Sequence, residues 1–138
     1  MIKLINILKE LAYPFSEHDT VYDDEDNSLI VVEYIFKTNQ TQYRVIFDSK
    51  EKAREFEVSF GLDAGDFNKI DPFQMTGEGD AKNILETIAK IINDFYNQYE
   101  EEIDKIIIAG TDEKRRRVYK LFFPKYLKPE VLEKTEIK

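Results

Sequence analysis

Residues 29–62 read LIVVEYIFKTNQTQYRVIFDSKEKAREFEVSFGL, and this stretch decides the fold. Leu29 to Lys37 and Thr41 to Phe47 are dense in β-branched and aromatic residues, which fit a pleated, half-buried surface. Thr38, Asn39 and Gln40 separate them, which predicts a β-hairpin with Asn39 and Gln40 near its tip. From Glu55 to Leu62 the alternation is clean. Phe56, Val58, Phe60 and Leu62 share one face, and Glu55, Glu57 and Ser59 the other. That is a half-buried strand, third in an antiparallel meander.

Upstream, Leu4, Ile5, Leu8, Leu11 and Ala12 form a helical stripe, and Pro14 biases Tyr13 away from helix. A first helix is therefore expected to end near Ala12. Asp23 to Ser28 reads as an acidic loop. Counted as a calcium loop from Asp24, it places Leu29 and Ile35 where glycine and glutamate are needed, so the motif fails.

Downstream, residues 63–80 hold Gly65, Pro72, Gly77 and Gly79 and read as a long loop. Gly77 to Lys82 lacks the spacing and the Lys-Ser/Thr ending of a phosphate loop, so it reads as a capping loop, with Asp80 as N-cap. Ile84, Leu85, Ile88, Ile91, Ile92, Phe95, Tyr96 and Tyr99 then outline the longest amphipathic helix. Glu100, Glu101 and Glu102 oppose the helix dipole, so a turn should begin there. Ile106 to Ile108 does not alternate, as expected of a strand covered on both faces. Thr111 reads as the N-cap of a last helix from Asp112 to about Phe122, because Pro124 disfavours a helical Phe123.

The order predicts an α+β domain: helix, three-stranded antiparallel meander, long helix, fourth strand and C-terminal helix. The long helix crosses over, bringing the fourth strand parallel to the first or third. One domain is expected over residues 1–128, with 129–138 as a charged C-terminal tail.

Composition narrows the chemistry. The chain has 138 residues, no cysteine and one histidine, His18. A disulfide scaffold, a thiolate metal site, a cysteine nucleophile and a two-histidine metal site are excluded. No Gly-x-Ser-x-Gly elbow is present. No metal, no cofactor and no catalytic residue is therefore expected, and the protein reads as a non-enzyme. No apolar run approaches the roughly 20 residues that cross a bilayer. Lys3, Lys9 and Glu10 interrupt the apolar N-terminus, and no small-residue cleavage site follows. The expectation is a soluble, cytoplasmic protein without a membrane partner.

The net charge of −8 is divided unevenly. Residues 1–111 carry 23 acidic and 11 basic side chains, whereas residues 112–138 carry nine basic and five acidic ones. On the last helix, set Arg115 at zero and turn about 100° per residue. Tyr119, Phe122 and Val118 then flank Arg115, while Arg116, Lys120 and Arg117 fall on a basic outer face. Arg115 on an apolar stripe needs a partner, because an unpaired buried charge is costly. Two readings are open for it: an ion pair with a carboxylate, or an anion contact beside the Thr111 helix start. Arg116, Arg117 and Lys120 are a candidate contact with a partner.

One resemblance adds to this. Residues 76–123 contain Gly79, Ala81, Thr87-Ile88, the Ile106–Ile108 strand, and Arg115 with Tyr119 in an Arg-x-x-x-Tyr helix. In these features the chain resembles a group of small uncharacterised proteins common in tailed bacteriophages and some bacteria. The resemblance covers about the last half of the chain and implies no settled activity. It implies a phage-encoded protein in a bacterial host cytoplasm. Pro124 departs from the pattern, which would let the helix continue.

The leading expectation is a non-enzymatic phage-type accessory protein that binds a host protein or a phage assembly. The alternative is nucleic-acid binding through the basic helix face, and a further one is an acidic mimic of nucleic acid. A homodimer is also open, because an exposed hairpin edge invites pairing.

Overall fold

The computed structural model describes residues 13–38, 41–50, 54–62, 81–110 and 112–138. The expected first helix, the Asn39-Gln40 tip, the 63–80 loop and the cap at Asp80 lie outside these residues. The chain is α+β, with a six-stranded mixed sheet in the order β1-β2-β3-β4-β5-β6. The strands are β1 Phe15–Tyr22, β2 Leu29–Lys37, β3 Gln42–Asp48, β4 Glu55–Leu62, β5 Lys105–Ile108 and β6 Thr135–Ile137. The helices are α1 Ala81–Tyr99, α2 Glu113–Tyr126 and α3 Pro129–Glu133.

The meander appears as read: β2, β3 and β4 pair antiparallel in sequence. Val32, Tyr34 and Phe36, Tyr43, Val45 and Phe47, and Phe56 and Val58 turn one face inward. That alternation is what a sheet with one covered face requires. The register sets Phe36 opposite Tyr43, and their rings stack with centroids 5.0 Å apart. α1 lays its apolar stripe on this face. Phe95 is fully buried and stacks on Phe47 at 3.9 Å, with Phe56 edge-on at 5.3 Å. Thr87 is the polar member of the stripe; its hydroxyl bonds the Asn83 carbonyl and accepts from the Tyr13 N–H.

α1 stops at Tyr99, and Glu100–Glu102 form a single 3₁₀ turn, as the charge pattern predicts. β5 then runs parallel to β4, the third strand of the expected meander. Ile106 and Ile108 are fully buried and Ile107 is 9% exposed, so both faces of β5 are covered.

The structure corrects the sequence reading at three places. First, β1 is a strand that the sequence did not announce. It pairs with β2 at the sheet edge, and FSEHDTVY shows no apolar alternation because most of its side chains face water. Second, residues 129–138, read as a charged C-terminal tail, form α3 and β6. α3 returns the chain to β6, which pairs parallel with β5, and Val131 is buried. Third, the last helix does not end at Phe122 but runs to Tyr126 with Pro124 inside. Proline removes one bond, the one to the Lys120 carbonyl. Lys120 and Pro124 are both exposed, so water can serve that carbonyl and the ring meets no core atom. Burial of Phe123 and Leu127 on either side holds the last turn in place.

Candidate functional site

The surface of interest is the outer face of α2, and its origin is local. Asp112 caps the helix: its Oδ1 accepts the Arg115 N–H at 2.8 Å. The sequence placed the cap one residue earlier, at Thr111. Gly110 makes the turn from β5 possible. A Cβ there would meet the Arg116 backbone nitrogen at 2.7 Å, closer than real side chains come. Tyr119 and Phe123 then anchor α2 to the core, Tyr119 against Phe60 with ring centroids 5.7 Å apart.

Asn93 of α1 fixes the far end. Its Nδ2 donates to the Tyr126 carbonyl at 3.1 Å, and its Oδ1 accepts the Lys128 N–H at 3.0 Å. The helix is thus held at both ends, and its outer side is fixed relative to the sheet.

On that outer side Lys114, Arg116, Arg117, Lys120 and Lys125 are all exposed. Leu121 stands among them, 66% exposed. Among the described residues no carboxylate lies in ion-pair range of Lys114, Arg116, Arg117 or Lys120. The sheet is different. Arg44 pairs with Glu33 at 2.6 Å, Lys50 with Glu57 at 3.1 Å, and Lys105 and Lys138 both with Glu136. Among the described residues, the acidic body therefore neutralises cations of the sheet and leaves the α2 face uncompensated.

Arg115 stands apart from its neighbours. Its side chain is 23% exposed, between the apolar stripe and water, and its guanidinium pairs with Asp112 at 3.3 Å. An anion at this helix start would have to displace a carboxylate that already satisfies the Arg115 N–H. Of the four site residues expected from the sequence, Arg116, Arg117 and Lys120 are brought together, whereas Arg115 turns toward Asp112. Leu121 did not stand out in the sequence, although the same helical rotation places it between Arg117 and Lys125.

The C-terminal end of α1 is acidic. Tyr99 donates to Glu17 Oε2 at 2.8 Å, tying the end of α1 to β1. Burial, and then Glu17 as acceptor and charge, push the Tyr99 hydroxyl up to about 12. Farther along α1, burial and the Asp94 carboxylate raise Tyr34 as well.

Two hollows carry mixed charge. One, of about 450 Å³, lies against α1 between Phe15, Glu86, Lys90, Asp94 and Tyr126. The other, of about 700 Å³, is lined by Asp48, Lys50, Glu55, Glu57, Ile107 and Lys138. Among the described residues no group of three or more His, Cys, Asp or Glu side chains is placed to hold a metal ion. No described helix is long and apolar enough to cross a membrane.

No curated protein and no solved structure matches the chain. A family model does: DUF6934, described as a family of unknown function, matches residues 20–137, and the chain belongs to that family.

Proposed function

We propose that the protein acts without catalysis, by binding a macromolecular partner through the outer face of α2. One observation carries this reading. Exposed cations surround an exposed leucine on a helix whose two ends are pinned, and the described carboxylates of the body do not neutralise them. A charged rim around an apolar centre is the usual anatomy of a protein contact. The partner is a protein with an acidic surface and an apolar recess for Leu121. The resemblance to phage and bacterial proteins supports a host protein or a phage assembly in the bacterial cytoplasm.

Nucleic acid is the second reading, favoured by the same exposed Arg116, Arg117 and Lys120. Leu121 beside Arg117, and exposed Glu113 at the helix start, speak against a phosphate backbone there. The test is affinity purification with the wild-type chain and an Arg116→Glu/Arg117→Glu/Lys120→Glu variant, each with and without nuclease. A protein recovered by wild type, lost by the variant and indifferent to nuclease supports the proposal. Nuclease-sensitive recovery with steep salt dependence transfers the face to nucleic acid. Identical recovery by wild type and variant refutes both.

A further inference from the structure

We propose that the α2 outer face of one copy docks on the acidic end of α1 in a second copy, so that chains associate head to tail. The inference rests on reading α2 as a contact surface and goes beyond it by naming an occupant. Three large apolar side chains are exposed among the described residues: Val21, Tyr22 and Leu121. Leu121 lies on the basic face, between Arg117 and Lys125. Val21 and Tyr22 close β1 and run directly into the acidic loop Asp23–Asp26.

Next to them ends α1. Its last turn carries no basic residue, and Glu100–Glu102 follow at once. A helix C-terminus already bears partial negative charge, so these glutamates deepen a potential that a cation would relieve. Burial first, and then the charges of Glu102 and Glu17, raise the Tyr22 hydroxyl, which places these carboxylates within electrostatic reach of it. The chain thus presents two patches of opposite sign, each with an exposed apolar side chain.

Among the described residues the two patches do not neutralise each other within one molecule. Val21 and Tyr22 lie on β1, at the sheet edge opposite β6, whereas α2 packs against β4 and β6 and meets α1 at Asn93, short of Glu100. No ion pair among the described residues joins them. Two copies can bring them together. Extension of the sheet is the less favourable route. β1 carries two register shifts, and Asp19 Oδ1 takes the Thr20 N–H at 2.9 Å, which blunts the edge. Contact is therefore through side chains. Because each copy uses two different patches, the interface is heterologous and gives an open row or a closed ring.

Sedimentation velocity tests this. The wild-type chain should sediment faster as its concentration rises at about 0.02 M salt. It should return to the monomer near 0.5 M, where screening shortens to a few Å. Arg116→Gln/Arg117→Gln and Glu100→Gln/Glu101→Gln variants should each be monomeric at low salt. All four positions are exposed, so folding is not at stake. Mixed in equal amounts, the two variants should form a dimer and nothing larger, since each retains one working patch. A wild-type chain that stays monomeric at low salt overturns the inference, as does association indifferent to both variants. A monomeric chain that still recovers a protein through α2 also overturns it, while leaving the preceding reading intact.

Discussion

Asn93→Ala should loosen the end of α2 without touching the apolar core. The amide makes two hydrogen bonds to backbone, one at the Tyr126 carbonyl and one at the Lys128 N–H. A typical intramolecular hydrogen bond contributes about 0.5–1.5 kcal/mol net, which gives about 1–3 kcal/mol for the pair. Lys128 is exposed and Asn93 half-buried, so water can replace part of the loss. The expected cost is therefore about 1–2 kcal/mol, in the lower half of that range. Pro124 makes the site sensitive, because the last turn of α2 already lacks one backbone donor. Asn93→Asp should cost at least as much. It keeps the acceptor for Lys128 but sets a carboxylate oxygen against the Tyr126 carbonyl. Urea unfolding should show a lower midpoint at unchanged slope. Hydrogen exchange should rise at the α2–α3 junction and not in β2–β4. An Asn93→Ala chain within about 0.3 kcal/mol of wild type, the scatter between independent sites, would refute the reasoning.

Other outcomes follow from the same geometry. Phe95→Ala opens a hole under Phe47 and Phe56 and should cost about 3–5 kcal/mol in urea unfolding; a loss below about 1 kcal/mol would mean the stack is not the centre of the core. Asp112→Ala removes the α2 cap and the Arg115 ion pair and should cost about 1 kcal/mol. Asp112→Asn keeps an accepting side-chain oxygen, so it should recover most of that loss; equal loss in both variants would point to the charge instead. Tyr99 holds its proton more tightly folded than unfolded, through burial and Glu17. Its contribution to stability is whole below pH 10.0 and fades as pH rises toward about 12. Ultraviolet titration of Glu17→Gln should show tyrosine ionisation, at Tyr99 above all, moving to lower pH than in wild type; an unchanged titration would remove Glu17 as a cause.

The meander, the long helix and the covered strand were legible because each has a strong period. Alternation in Phe56-Glu57-Val58 and the stripe from Ile84 to Tyr99 report one-sided burial, and Ile106–Ile108 reports burial on both sides. β1 and β6 have no such period. An edge strand with solvated side chains, and a three-residue strand among charges, are held by neighbours far away in the chain. Pro124 misled for a related reason. The local preference to end the helix is real, but Phe123, Leu127 and the Asn93 amide outweigh it.

At the candidate site the division is similar. Helical rotation sufficed to set Arg116, Arg117 and Lys120 on one face and Arg115 toward the apolar side. Charge counting located the basic excess after residue 111. Neither could say whether the acidic body folds back to neutralise that helix, because pairing depends on which strands separate the two. By itself the sequence determined the α+β class, the inward faces and the sign of charge along the chain, since these follow from local periodicity. Only the tertiary structure decided that α2 lies over β4–β6, and that no described carboxylate reaches Arg116, Arg117 or Lys120. Sheet order is set by long-range packing, and no local signal encodes it.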